Sequence, residues 1–368
     1  MQEIFRLLNT AYQNNQFDII LNHQNGNYFL KLRSLSRSEI LRQLAHVSGI
    51  DIENVQGRQL FEHLFCQNIQ QNIVDAFIRQ VYQQERDIRL QHEEQLYHHL
   101  YRINNLDSGG FHQSEVEVYI VKNYIKDISD LDVLEAKVQN ELNAKIRNYV
   151  LWSWYNFWTS ILIEDIFKDH QDIIPAVGLV KKVDFFWSNF PFDLKVTFFP
   201  DGFMKLKRRE RGLPEKEIIQ LRGFARRNRI PYDRNLDDDE QFIELINRIT
   251  ESPSEVAQQF VQDFHQTRRE IIDETLANPH QLIVWFYENQ APRRFDAANR
   301  FFLVLIDRNN IEESWKLKRN REILHTQINT YLNQNRDIDF NQFQINFNWE
   351  GNNYQTHATC LFVIRDQI

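Results

Sequence analysis

Asp184, Asp193 and Lys195 are the residues whose types and spacing most suggest chemistry in this chain. They sit in one run, Lys181 to Thr197, where two alternating stretches meet at Ser188-Asn189. In the second stretch Phe192, Leu194, Val196 and Phe198 point one way and Asp193, Lys195 and Thr197 the other, because successive strand side chains alternate faces. With Ser188-Asn189 as a two-residue turn, Trp187 pairs with Phe190. Counting outward then sets Asp184 opposite Asp193 and Lys182 opposite Lys195. Opposed side chains on one sheet face have Cβ atoms about 4.5–5.5 Å apart, and like charges there repel. Two facing aspartates beside a lysine need a compensating cation, and a divalent metal is the natural candidate. The bland alternative is a solvated face whose acids pair with Lys181, Lys182 or Lys195. Against it, Phe185, Trp187, Phe192 and Phe198 make the hairpin central to a core.

Elements able to hold such a hairpin read on both sides of it. Upstream, the first 140 residues are mostly helical. A helix spans Glu3 to Asn14, an Asn-Gly hairpin is expected around Asn22–Asn27, and Ser36 to Glu39 reads as a capping box. An amphipathic stretch with Leu60, Leu64, Ile73, Phe77 and Val81 follows, and Asp107-Ser108-Gly109-Gly110 breaks it. Further helices are expected over about 111–126 and 130–168. The hairpin reads as strands over about 177–187 and 190–199, closed by a Pro200-Asp201-Gly202 turn. Helices are expected from Pro214 to Asn228, from Ser254 to Ala277 and from Glu312 to Asn335, with Asp237 to Glu240 a solvated acidic run. Strands are expected at Gln281–Tyr287, at Phe301–Ile306, and on either side of Glu350-Gly351-Asn352-Asn353. The order predicts an α+β, or mixed α/β, chain. A helical region over 1–140 precedes a mixed sheet flanked by helices over 141–368.

The 368 residues suffice for two or three domains, and the apolar share of 42% is that of an ordinary globular chain. Cys66 and Cys360 lie far apart and imply no disulfide framework, which fits a reduced cytoplasmic setting. The start lacks signal-peptide character. The low-charge run Asn148–Ile163 is short for a membrane span and reads as a buried helix. There is no Gly-rich phosphate loop, C-x-x-C pair or H-E-x-x-H motif, so neither a nucleotide-driven motor nor a zinc finger is indicated. Net charge is −8, yet residues 205–234 hold eleven Lys/Arg against four Asp/Glu, a local excess of seven that leaves −15 to the rest. A basic patch on an acidic body suits a polyanion touched with one face.

Asp184 followed by Asp193-Leu194-Lys195 resembles the signature of the PD-(D/E)XK nuclease superfamily, which includes most type II restriction endonucleases. The likeness covers roughly residues 145–290, and it implies a restriction-endonuclease-like mixed sheet. Val183 stands before the first acid, and eight residues separate Asp184 from Asp193. The resemblance implies that Asp184 and Asp193 bind Mg2+, with Mn2+ as a substitute, and that the Leu194 carbonyl is a further ligand. Lys195 then positions or deprotonates the attacking water. A glutamate on the preceding helix completes the pattern, with Glu164 the match and Asp165 its rival. The implied activity is Mg2+-dependent hydrolysis of double-stranded DNA by a homodimer. The alternatives are a related nuclease in repair, phage defence or RNA cleavage, or a non-catalytic helical DNA-binding regulator.

The insertion over 200–240 would contact DNA through Lys207, Arg208, Arg209, Arg222, Arg226, Arg227 and Arg229. Ion pairing with Glu210, Glu215 and Glu217 is the plainer reading of the same charges. A weaker pattern over Leu41–Val55, with Ala45 and Gly49, resembles a helix-turn-helix. Its second helix over Ile52–Phe61 would present Asn54, Gln56, Arg58 and Gln59. His92, His98 and His99, with Glu93 and Glu94, offer a metal site as the alternative to a solvated helix face, which is the preferred reading.

Overall fold

The computed structural model describes residues 1–104, 119–125, 131–178, 180–291, 295–308 and 310–366. The expected break at 107–110 and most of the helix expected over 111–126 lie outside them. The chain is mixed α+β and folds as two compact units. The first comprises Met1–Leu8, Asn25–Asn189 and Lys318–Gln334, and the second Asn9–Gln24, Phe190–Leu317 and Asn335–Ile368. No described helix is long and apolar enough to cross a membrane.

Helix α1 (Gln2–Gln13) opens the chain and is followed by α2 (Phe17–Leu21), α3 (Gly26–Ser34), α4 (Ser38–Val47), α5 (Leu60–Cys66) and α6 (Gln71–Tyr101). In the first unit Phe5 packs on Phe29, Phe61 and Phe65 at 6.1, 5.1 and 5.6 Å between ring centroids. Helix α7 (Leu131–Lys137) and a π-turn lead into α8 (Asn143–Lys168), which supplies buried Leu162, Ile163, Ile166 and Phe167. Strand β1 (Ile173–Pro175) runs antiparallel to β2 (Phe185–Trp187), and the Phe167 ring stacks on Phe185 at 5.2 Å. This stacking ties the end of α8 to β2.

The second unit contains β3 (Phe190–Phe198), β4 (Arg300–Asp307), β5 (Gln344–Trp349) and β6 (Asn352–Arg365), in the order β3-β4-β6-β5. The pairs β3–β4 and β4–β6 are parallel and β5–β6 is antiparallel. Every residue of β4 is buried, as an apolar run flanked by strands on both sides requires. One sheet face, with Phe302, Val304 and Ile306, packs on α9 (Asp201–Glu210), α12 (Glu255–Ala277) and α13 (His280–Glu288). Helices α10 (Glu217–Arg227) and α11 (Asp238–Thr250) join α12 around a separate core of Leu221, Phe224, Leu245, Ile249 and Phe264. Helix α14 (Arg321–Gln334) belongs to the first unit.

Several expectations are corrected. The Asn22–Asn27 stretch connects α2 to α3 and forms no hairpin, because Tyr28, Phe29, Leu30 and Leu32 bury a helical set rather than an alternating one. Residues 200–202 begin α9 instead of a turn, and Gly202 is demanded by packing: a Cβ there would stand 2.7 Å from the Trp285 ring. Gln281–Tyr287 is helix α13, since a short apolar run looks alike in a buried strand and a buried helix. Helix α4 starts after Arg37 with no side-chain cap, so Ser36 does not close a capping box. No helix covers 52–56. Gly49, at φ +67, ends α4 with the Ile50 amide on the Ala45 carbonyl (2.9 Å), which removes the helix-turn-helix.

Candidate active site

Asp193 and Lys195 are two apart on β3 and therefore share a face. Lys195 Nζ donates to Asp193 at 2.7 Å. The parallel register places Arg300 beside Asp193 and Phe302 beside Lys195. Arg300 is buried at 6% exposure, and its guanidinium donates to Gln290 Oε1 (2.7 Å) and Asp296 Oδ1 (2.9 Å) over the Tyr287 ring. Its Nε lies 3.8 Å from Asp193 Oδ2 and has no hydrogen-bond partner. Asp193 thus stands between two cations of different character. Arg300 is fixed, whereas the Lys195 side chain is 46% exposed and can move. Lys195, Gln290, Asp296 and Arg300 line a cleft of about 590 Å³ with Thr197, Phe286, Asn289 and Ala291, while Asp193 does not line it and is 7% exposed. Asn299 ties the start of β3 to β6: its amide donates to the Pro191 carbonyl (3.1 Å), while its side-chain oxygen accepts from Thr356 and the His357 amide, both at 3.2 Å. Burial pushes the Tyr287 phenol up, and its hydroxyl donates to the Ala298 carbonyl at 2.8 Å.

Glu164 and Asp184 belong to the first unit, where they line one concavity of about 430 Å³ with Arg37, Lys168, Gly178 and Val183. Glu164 accepts from Lys168 at 2.8 Å, one helical turn away. Asp184 lies in the bend before β2, and its carbonyl accepts from the Ala176 amide at 3.0 Å. Asp165 is otherwise engaged. It is 3% exposed, and its carboxylate takes Arg89 in a fork at 2.8 and 2.7 Å, with Tyr82 at 3.3 Å. Between the two acids on α8, Glu164 is the one that opens onto a concavity with Asp184. The Leu194 side chain is buried on the face opposite Asp193, so only its carbonyl is a candidate ligand.

Glu164 and Asp184 are hard oxygen donors, the ligand type Mg2+ takes alongside retained waters. Two carboxylates lining one concavity fit that ion. Among the described residues no three His, Cys, Asp or Glu side chains gather into a metal-holding group, the His92, His98 and His99 stretch of α6 included.

The expected DNA contacts separate into two sets. Lys207 binds Glu210 (2.9 Å), Arg209 binds Glu215 (3.0 Å) and Arg222 binds Asp238 (2.7 Å). Arg208 is fully buried, donates to the Pro214 carbonyl (2.9 Å) and Gln220 (2.5 Å), and has its guanidinium pKa lowered by desolvation. It pins α9 to α10 and presents nothing outward. Arg226, Arg227 and Arg229 are exposed.

Arg300, Gln290, Asp296 and Asn299 escaped the sequence reading. Their one linear trace is Asn299-Arg300 at the head of the apolar run 301–306, and nothing local links that position to Asp193. No known protein family, curated protein or solved structure matches the chain.

Proposed function

We propose that the chain is a divalent-metal-dependent endonuclease that hydrolyses phosphodiester bonds of duplex DNA. It is of the PD-(D/E)XK kind, with a restriction-endonuclease-like sheet, and works as a type II restriction-like homodimer in the cytoplasm. The observation that carries the reading is the Asp193–Lys195 pair on β3, whose lysine lines a cleft and remains half exposed. A structural ion pair has no need of such a cleft. Asp193 with the Leu194 carbonyl in the second unit, and Asp184 with Glu164 in the first, are the oxygen donors offered to Mg2+ or Mn2+, which when bound polarises a phosphate and acidifies water. Lys195 places positive charge beside the attacking hydroxyl and orients it by hydrogen bonding. Arg300, buried and 3.8 Å away, leaves a positive charge beside Asp193 when Lys195 turns to the substrate.

A non-catalytic DNA binder is the second reading. It is favoured by the compensation of Asp193 by two cations and by the lack of a three-ligand metal group among the described residues. Incubating the protein with plasmid and Mg2+ separates the two. Cutting that falls at least about a hundredfold in Asp193→Asn and Lys195→Ala, with gel-shift binding retained, supports the nuclease. Undiminished cutting by either variant removes the site assignment, and intact plasmid with a gel shift from the wild-type protein leaves the binder.

A further inference from the structure

We infer that duplex DNA docks by its backbone phosphates on the connection between α10 and α11, through Arg226, Arg227, Arg229 and Arg234. This rests on the DNA-binding part of the function proposed above and names its surface. Eleven basic side chains fall between residues 205 and 234. Seven of them are engaged inside the protein: Lys205 with Asp201, Lys207 with Glu210, Arg208 with Glu217, Arg209 with Glu215, Arg211 with Glu270 and Glu274, and Lys216 and Arg222 with Asp238. An arginine already holding a carboxylate must give it up before it takes a phosphate, so paired cations add little net affinity. The other four are exposed and, among the described residues, meet no carboxylate. They lie within nine consecutive positions at one end of the helical module.

The backbone carries a second, independent sign. Helix α10 ends with the Ile230 amide on the Ala225 carbonyl at 2.9 Å, the six-to-one closure that calls for a left-handed residue just before it. That residue is Arg229, at φ +55. Glycine fills such a position without steric cost, and an arginine does not. A strained residue kept where its charge faces outward points to use of that charge. The strain is held in place from both sides. Ile230 and Tyr232 pack against the module's core, and the Arg234 guanidinium lies 5.9 Å over the Tyr232 ring. The four guanidinium groups therefore extend from an ordered path rather than a loose loop. The acidic balance elsewhere, −15, disfavours other faces.

The test is fluorescence anisotropy of the full chain with a labelled duplex in EDTA, across a KCl series, so that no strand is cut. Each phosphate contact contributes about 0.9 to the slope of log affinity against log salt, and the Arg226→Gln, Arg227→Gln, Arg229→Gln triple variant is expected to lose about 2.7 of it. A control triple of equal charge change, Lys205→Gln, Arg209→Gln, Lys216→Gln, is expected to lose less than about 1. Arg229→Gly is expected to raise Tm by a few degrees while weakening binding severalfold. A purely structural arginine would give the first effect without the second. An unchanged slope in the first triple, or an equal loss in the control, overturns the docking surface and leaves the nuclease proposal standing. Wild-type protein that fails to bind any duplex overturns both.

Discussion

Lys318 shows what burial does to a single charge here. It is 7% exposed and donates to Asn156 Oδ1 at 2.7 Å, and desolvation pulls its pKa from 10.5 to about 8. Below pH 8 the ammonium is charged in both folded and unfolded chains, and the fold bears the desolvation cost. Between about 8 and 10.5 the unfolded chain binds the extra proton, so stability climbs with pH. Tyr28 acts in the opposite sense at higher pH. Burial raises its phenol from 10 to about 12, so its contribution is intact below pH 10 and is lost as pH rises through 12. Burial also pushes the Cys360 and Cys66 thiols up from 9.0, so their contributions fade above about pH 9. The clean window is therefore about pH 8 to 9, where Lys318 is worth roughly 1 kcal/mol at 1.36 kcal/mol per unit. Urea melts at about pH 8 and 9 should show that rise in the wild type and its loss in Lys318→Met; equal pH slopes would refute the assignment. Nothing in the linear sequence marks Lys318 or Arg208 as buried, because their burial comes from elements distant in the chain. Asp193 and Lys195 were legible because a period of two fixes their shared face whatever the surroundings. Arg300 was not, because parallel pairing brings it from a strand far along the chain.

At the element scale, the turn between β2 and β3 is built from two left-handed residues, Ser188 at φ +44 and Asn189 at φ +69, as the two-residue hairpin reading expects. The Asn189 side chain is also used. Its Oδ1 accepts from Lys31 Nζ at 2.9 Å and from Gln71 at 2.5 Å, and Lys31, fully buried, answers Asp75 at 2.7 Å. The two turn positions are thus expected to respond oppositely. Ser188→Gly relieves steric cost and should gain about 0.5–1 kcal/mol after glycine's entropy is counted. Asn189→Ala leaves a buried ammonium short of an acceptor and should lose about 1–3 kcal/mol. Denaturant melts of the two variants decide it, and a loss in both, or in neither, would rule out this account of the turn. Elements with a strong period and clear punctuation were legible. β3, β4, β6 and α12 fall close to their expected spans, with Ser254 at the N-cap position of α12. Elements whose identity depends on what covers them were not. The run Leu282 to Tyr287 became helix α13 because Leu282, Ile283 and Tyr287 face the sheet. Pro200-Asp201-Gly202 opened α9 because Phe203 and Met204 had a core to enter.

For the whole molecule, the course of the chain decides what can fold alone. The first compact unit gathers its N-terminal helices, α8, β1, β2 and residues 318–334, so its core is assembled from segments far apart in sequence. Helix α6 depends on that assembly. Arg86 binds Glu93 on its own helix but also Asp169 at 3.0 Å, Arg89 forks onto Asp165, and Tyr82 donates to Asp169 at 2.6 Å. From α14, Arg321 reaches Glu93 at 3.0 Å, while Arg319 donates to the Leu100 carbonyl at 2.6 Å. A fragment ending at residue 140 keeps all of α6 and loses Asp165, Asp169, Arg319 and Arg321. It leaves Val74, Ile78, Tyr82 and Leu100, all buried in the full chain, without α8 or β1 to cover them. Helical content survives such a cut, because local hydrogen bonds remain, whereas fixed packing does not. The fragment 1–140 is therefore expected to keep helical far-ultraviolet dichroism, to bind a hydrophobic dye, and to unfold in urea without a sharp transition. A cooperative transition and well-dispersed amide signals from the fragment would show that the N-terminal helices form a core of their own, and that the ties from Asp165, Asp169 and Arg321 are decoration on a fold already complete.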